Sequence, residues 1–257
     1  MPENHDSNVT RLAEQLRSDR RITVLTGAGV SAASGIPTFR GPDGLWRTHR
    51  PEELATAEAF ERDPALVWDW YDWRRQLVAA CLPNEAHAVL ADWSHRFPRL
   101  RLITQNVDGL HERAGTRDVL RFHGSIWELR CWNRCAAAPK RWIDRTIPLP
   151  APPPRCPACD GLARPGVVWF GEVIESDVLD RSLAATDCDL FLTIGTSSTV
   201  HPAAALVQRS RAHGALTAEI NLDATPASSL VDIALRGPAE QVLPAVEEAR
   251  AAGEPSA

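Results

Sequence analysis

Arg21-Ile-Thr-Val-Leu-Thr-Gly-Ala-Gly-Val-Ser-Ala-Ala-Ser-Gly-Ile-Pro-Thr-Phe-Arg-Gly-Pro-Asp-Gly-Leu-Trp46 is the stretch from which the rest of the 257-residue chain is read. Ile22, Val24 and Leu25 form a short apolar run that stops at Gly27, the pattern of a buried parallel strand entering its turn. Gly27 and Gly29 permit a tight turn in which backbone N–H groups approach a phosphate oxygen. The third glycine of a dinucleotide fingerprint is missing, and Ala32 stands in its place. Phe39, Arg40 and Trp46 then follow with no hydrophobic period to account for them, so this segment is expected to be a loop that covers a nucleotide.

Working outward, Val9, Leu12, Ala13 and Leu16 recur at helical spacing and predict a surface helix before the strand. Pro51 opens a helix over about 51–61, and Pro64 opens a second, unusually aromatic one. Asn84 or Glu85 starts a third. Leu100 to Asn106 reads as a strand that ends in polar residues, where an open α/β sheet places its ligand. Further strands are expected at 119–122, 189–195, 216–222 and 233–235, with helices at 202–213 and 239–251. Strands alternating with helices predict a mostly parallel, Rossmann-like α/β sheet with helices on both faces. The expected organisation is one catalytic domain over 1–257. Its Rossmann-like part takes about 1–48, 85–126 and 166–257, its helical insert about 50–84 and a small metal-binding module about 127–165.

Composition narrows the function. With 28 basic and 33 acidic residues, the formal charge of −5 argues against a whole-protein grip on nucleic acid. There is no 18-residue apolar run, and the N-terminus lacks the charged and apolar regions of a signal peptide, so a cytoplasmic protein without a membrane partner is expected, as a monomer. Four of the six cysteines come as two pairs, Cys131/Cys135 and Cys156/Cys159. That spacing suits one tetrahedral Zn²⁺ on two knuckles, closed to substrate and therefore structural. The first pair is C-x3-C, one residue longer than the commoner knuckle, which a bulge at Arg134 accommodates. Cys81 and Cys188 lack close partners and are expected in the core.

The opening stretch, with Thr104-Gln-Asn-Val-Asp-Gly-Leu-His111, Phe122-His-Gly-Ser125, Val167-Val-Trp-Phe-Gly-Glu172, Gly195-Thr-Ser-Ser198 and Ile220-Asn-Leu-Asp223, resembles the sirtuins, NAD-dependent protein lysine deacylases. The six blocks occur in the family's order. The resemblance implies that Gly27, Ala28, Gly29 and Ser31 line the NAD pyrophosphate, with Phe39 and Arg40 covering the nicotinamide ribose and Trp46 also binding the cofactor. By the same likeness, Gln105, Asn106 and Asp108 orient the ribose and the nicotinamide amide. Gly195, Thr196 and Ser197 take the other phosphate or ribose, Asn221, Leu222 and Asp223 the adenosine ribose, and the backbone of Ala239 the adenine. His123 becomes the general base, in keeping with an unperturbed pKa near neutrality. It would take a proton from a ribose hydroxyl so that the acyl group ends on ADP-ribose. Asn106 and Asp108 would assist, and an acyl-lysine peptide would add to Val168, Trp169, Phe170 and Gly171 as an extra strand. The remaining histidines are expected to be structural or solvated.

Tyr71 and Arg74 stand three apart on one helical face. Tyr-x-x-Arg at this place resembles the class III sirtuins, which implies that they bind the carboxylate of a succinyl or malonyl group. Arg75 points about 100° away around the helix and is not expected to read the substrate. Two alternatives stay open at this stage, a mono-ADP-ribosyltransferase and a non-catalytic NAD- or peptide-binding module.

Overall fold

The computed structural model describes residues 2–39 and 50–253. Six parallel strands form the main sheet: β1 (Ile22–Thr26), β2 (Leu100–Thr104), β3 (Leu120–Arg121), β7 (Leu190–Ile194), β8 (Leu216–Asn221) and β9 (Ile233–Arg236). Their spatial order is β3-β2-β1-β7-β8-β9, so the chain winds outward from β1 in both directions. The expected Rossmann-like sheet is present. β1 is buried along its full length because it pairs with β2 on one side and β7 on the other, and so it reads as an unbroken apolar run.

Helices α1 (Pro2–Ala13), α5 (Glu85–Arg96) and α9 (Ala239–Ala252) bury Leu12, Leu90, Trp93 and Val246 against one face of the sheet, with Val24, Leu102 and Leu192. Across the other face, Leu25, Ile103 and Phe191 meet Leu206 and Val207 of α8 (Ala205–Ala212), with α7 (Ser176–Ala184) alongside. Asn84 caps α5 as its side chain accepts from the Ala86 N–H, and α8 begins three residues later than the expected 202.

A second, smaller sheet of β4 (Gly124–Cys131), β5 (Trp142–Ile143) and β6 (Ala163–Val167) is antiparallel, in the order β5-β4-β6. It packs with α2 (Pro51–Leu54), α3 (Ala57–Arg62) and α4 (Pro64–Ala80) around Phe60, Trp68, Tyr71, Ile126 and Trp169. The expected single helix over 51–61 is therefore two. Thr56 separates them, since its hydroxyl accepts the Ala59 N–H and starts α3 afresh, as an N-cap does. The break has a use: the Ala55 carbonyl accepts the Phe170 N–H at 2.9 Å, and Thr56 forms a parallel bridge with Phe170.

Candidate functional site

A cavity of 1110 Å³ opens along the C-terminal ends of β1, β2, β7 and β8, between the large sheet and the smaller lobe. The strand order reverses between β1 and β7, and that is where a doubly wound sheet leaves room for a ligand. Gly27, Ala28, Gly29, Gln105, Asn106, His123, Gly195, Thr196, Ser197, Asn221, Leu222, Asp223 and Ala239 all line it, as do Phe39, Tyr71, Arg74, Val168, Trp169, Phe170 and Gly171. Arg40 and Trp46 lie outside the described residues.

Besides lining the cavity, the glycines lock two strand ends together. The Gly27 N–H donates to the Ile194 carbonyl at 3.0 Å and the Gly29 N–H to Gly195 at 2.8 Å, so both amides are engaged across the switch point. A Cβ on Gly27 or Gly29 would come within 2.8 Å of Gly195 or Thr196. Gly195 itself has φ +60, and a Cβ there would sit 2.5 Å from the Val30 N. Three glycines thus interlock the ends of β1 and β7. The turn continues as a 3-10 helix, Ala28–Ser34, a tighter winding than the α-helix of the usual dinucleotide site, and Ala32 and Ala33 face the cavity.

Ser31 and Asp108, expected to touch NAD, lie beneath the cavity wall. Ser31 Oγ donates to Asp108 Oδ2 at 2.9 Å and accepts from Asn106 Nδ2 at 3.2 Å; Asn106 Nδ2 also donates to the Gly27 carbonyl. Asp108 Oδ1 accepts the Leu110 N–H, which starts α6 (Leu110–Arg113), and burial pushes the Asp108 carboxyl above its ordinary range. Two histidines expected to be structural or solvated, His87 and His111, complete this layer. His87 accepts the Asn84 N–H at Nδ1, which leaves its Nε2 facing Ser31 Oγ at 3.4 Å. His111 Nε2 meets Thr26 Oγ1 at 2.9 Å. Burial lowers them to about 3 and about 4.

His123 is oriented by its backbone surroundings. Its Nδ1 lies 3.1 Å from the Gln105 carbonyl oxygen, which can only accept, so Nδ1 carries the proton and Nε2 holds the lone pair. Burial lowers the pKa of the ring, opposed by that hydrogen bond. The imidazole is thus kept neutral, as a general base must be. Nearby, Gln105 Nε2 donates to Thr196 Oγ1 at 2.8 Å and Asn221 Nδ2 to the Thr196 carbonyl at 3.1 Å, fixing the polar groups at three strand ends.

At the end of the cavity beside the smaller lobe, α4 contributes Tyr71 and Arg74, both buried. Tyr71 Oη accepts from Trp169 Nε1 at 2.9 Å, so its own proton points elsewhere, and burial pushes the phenol up to about 12. The Arg74 guanidinium lies over the rings of Phe39 and Trp70, 4.5 and 5.0 Å from their centres. No carboxylate among the described residues pairs with it, and burial lowers its pKa. Arg75 is fully buried on the other face, where Nη2 donates to Asp144 Oδ1 at 2.6 Å. Trp169 is in turn fixed by Glu172, whose Oε2 accepts the Trp169 N–H and pairs with Arg164 at 2.9 Å. Val168 follows β6 and gives its N–H to the His123 carbonyl, while Phe170 and Gly171 are exposed.

The four paired cysteines converge, with all sulfurs within 4.8 Å of one another. Cys131 and Cys159 are 3.6 Å apart, Cys135 and Cys156 3.8 Å, close to the ~3.8 Å edge of a tetrahedron with 2.3 Å metal–sulfur bonds. Arg134 at φ +51 absorbs the extra residue of the first knuckle. The group is placed to bind a metal ion.

A Sir2 family model matches residues 27–202. The chain belongs to the Sir2 family. Over 213 residues, 82% of this chain and 87% of the relative, it is 51% identical to an NAD-dependent protein deacylase of Aquifex aeolicus. Among solved structures, it is similar to a Sir2 homologue in complex with NAD at 44% identity and TM-score 0.84, covering 94% of each chain. A second Sir2 protein, bound to a myristoylated histone peptide, matches at 29% identity and TM-score 0.75 over 95% of this chain and 97% of that one. Sirtuin membership thus accounts for the order of the six sequence blocks.

Proposed function

We propose that this sirtuin is an NAD-dependent protein lysine deacylase that removes acetyl and acidic acyl groups, succinyl and malonyl, and releases nicotinamide and O-acyl-ADP-ribose. The observation that carries the reading is His123, held neutral with its Nε2 lone pair at the cavity, beside the polar strand ends. NAD supplies a ribose carbon from which nicotinamide departs, and ADP-ribose as the acceptor of the acyl group. Gln105, Asn106 and Asn221 hold the sugar and amide groups, His123 Nε2 accepts the hydroxyl proton, and the cavity-lining segment Val168 to Gly171 takes an acyl-lysine peptide as an added strand. The neutral imidazole favours deacylation over ADP-ribosyl transfer to protein or a purely binding role.

The acidic-acyl part rests on Arg74 and Tyr71. A planar guanidinium receives a carboxylate bidentately, and a phenol whose oxygen already accepts a bond adds a donor. The metal is proposed to be one structural Zn²⁺ on Cys131, Cys135, Cys156 and Cys159, which folds the module of about 127–165 and leaves no coordination position for substrate. A monomer in the cytoplasm, without a nucleic-acid or membrane partner, belongs to the same proposal and rests on the charge balance and the cysteine spacing. The test is an acyl-lysine peptide panel with NAD, read by mass spectrometry, on protein whose metal content has been measured. O-acyl-ADP-ribose and one zinc per chain are expected. ADP-ribosylated protein, or no nicotinamide release with any acyl peptide, overturns the activity.

A further inference from the structure

Glu219 is a buried carboxylate in the middle of β8, between Ala218 and Ile220, and is only 1% exposed. A carboxylate there is costly unless every oxygen is engaged, and its partners lie in the loop after β8 and at the end of β9, both next to the ligand cavity. Oε1 accepts from Thr225 Oγ1 and Oε2 from Ser228 Oγ, both in the loop that follows β8. Oε2 also pairs with Arg236 Nη1 at 2.8 Å, at the end of β9, one residue before Gly237. Thr225 and Ser228 brace that loop further, since Ser228 Oγ accepts the Thr225 N–H and Thr225 Oγ1 the Ala227 N–H. Asp223 and Thr225 line the cavity on one side, Gly237 and Ala239 on the other. One side chain therefore ties together the two loops that flank the cavity beyond Asn221.

We infer that Glu219 is a positioning residue for the adenosine half of NAD: it holds the 222–230 loop and the Arg236–Ala239 turn at the separation the nucleoside needs, without touching it. The inference rests on the reading of this cavity as an NAD site with its adenosine end at Asn221 to Ala239. It predicts an effect that is lopsided within one cavity, because His123 and Arg74 hang on other strands and helices.

The test is steady-state kinetics on the full-length, metal-loaded enzyme. In Glu219→Ala, KM for NAD should rise about tenfold and the Kd for ADP-ribose should rise in step, while kcat, the peptide KM and the nicotinamide inhibition constant stay within about twofold. Ser228→Ala keeps the Glu219–Arg236 pair and removes a loop anchor that does not line the cavity; it should raise both NAD constants the same way, so it carries the test if Glu219→Ala does not fold. Unchanged ADP-ribose affinity in both variants overturns the role. Equal losses of ADP-ribose, nicotinamide and peptide binding overturn it too, since they would mean general loosening. If the wild type itself binds neither NAD nor ADP-ribose, the reading of the cavity falls instead, which is a separate result.

Discussion

The wall of the cavity and the layer directly beneath it use the same residue types to opposite ends. Beneath the wall, polar groups face one another. Ser31 bonds Asp108 and Asn106, His111 reaches Thr26, and Arg75 is paired with Asp144. On the wall, each group has one protein contact that aims it and one side directed at the cavity: His123 is held through Nδ1, Tyr71 through its oxygen, and Arg74 by aromatic faces. An unfilled valence alone does not separate the two sets, since His111 Nδ1 and Arg75 Nε and Nη1 are also buried without a hydrogen-bond partner; what the wall groups have in addition is a place on the cavity lining. Variants on the wall should lose chemistry and keep stability, and variants beneath it should lose stability first.

The largest expected effect is on the wall. His123→Ala should lower deacylation by about 10²–10⁴-fold, the range of a positioned general base, with ADP-ribose binding and Tm unchanged. Nicotinamide release and calorimetry measure this, and near-normal turnover would move His123 into the structural class. Next is Arg74→Met. Without the guanidinium the succinyl carboxylate is left unmatched in the cavity, which costs roughly 1–3 kcal/mol, so succinyl-lysine turnover should fall about 10- to 100-fold in kcat/KM, with acetyl-lysine unaffected. Equal losses on both peptides would erase the distinction between the two faces of α4.

Arg75→Met then tests the layer beneath. Since Asp144 is 24% exposed on its side chain, the orphaned carboxylate is partly solvated and the cost should be on the order of 1–2 kcal/mol, less than for a fully buried pair. Thermal unfolding should show a drop of a few degrees, with both acyl substrates affected alike.

The last test, of the same layer, is a pH dependence. His87 and His111 titrate in the folded protein at about 3 and about 4, below the ~6.5 of an unfolded histidine. The unfolded chain therefore takes up protons first, so their contribution is complete above about pH 6.5 and is lost as pH falls from there toward about 3. Tm measured over that window should decline, and His111→Gln should flatten the slope. A wild-type Tm independent of pH across it would show these rings to be solvated.

Much of the site was legible because it is written in short local blocks. The strand stopping at Gly27, the cysteine pairs and the histidine after β3 each carry their own signal. What escaped detection depends on partners far away in sequence. Gly27 and Gly29 read as phosphate turns because nothing near them announces Gly195, whose backbone makes a side chain impossible there. Helical spacing put Arg75 on another face than Arg74, but it does not reveal Asp144 waiting in the small sheet. His87 sits in an ordinary amphipathic helix, and its role emerges only when Ser31 arrives from another element. The split of the 51–62 segment was within reach, because Thr56 is a good N-cap, yet continuous helical propensity on both sides hid it.

The strand order carries a consequence for how the protein is made. β1, synthesised early, is central in the sheet; Thr26 of its end bonds Thr104, 78 residues on, while Arg21 at its start bonds Asp189, 168 residues on. Closing the longer loop costs only about 0.6 kcal/mol more than the shorter, since that entropy grows with the logarithm of length. The delay is kinetic, as non-local parallel pairing is slow and leaves an apolar edge exposed meanwhile. A nascent chain released before residue 194 would carry β1 with one side unpaired, so the interlock of Gly27, Gly29 and Gly195 can only be a late event on the folding route.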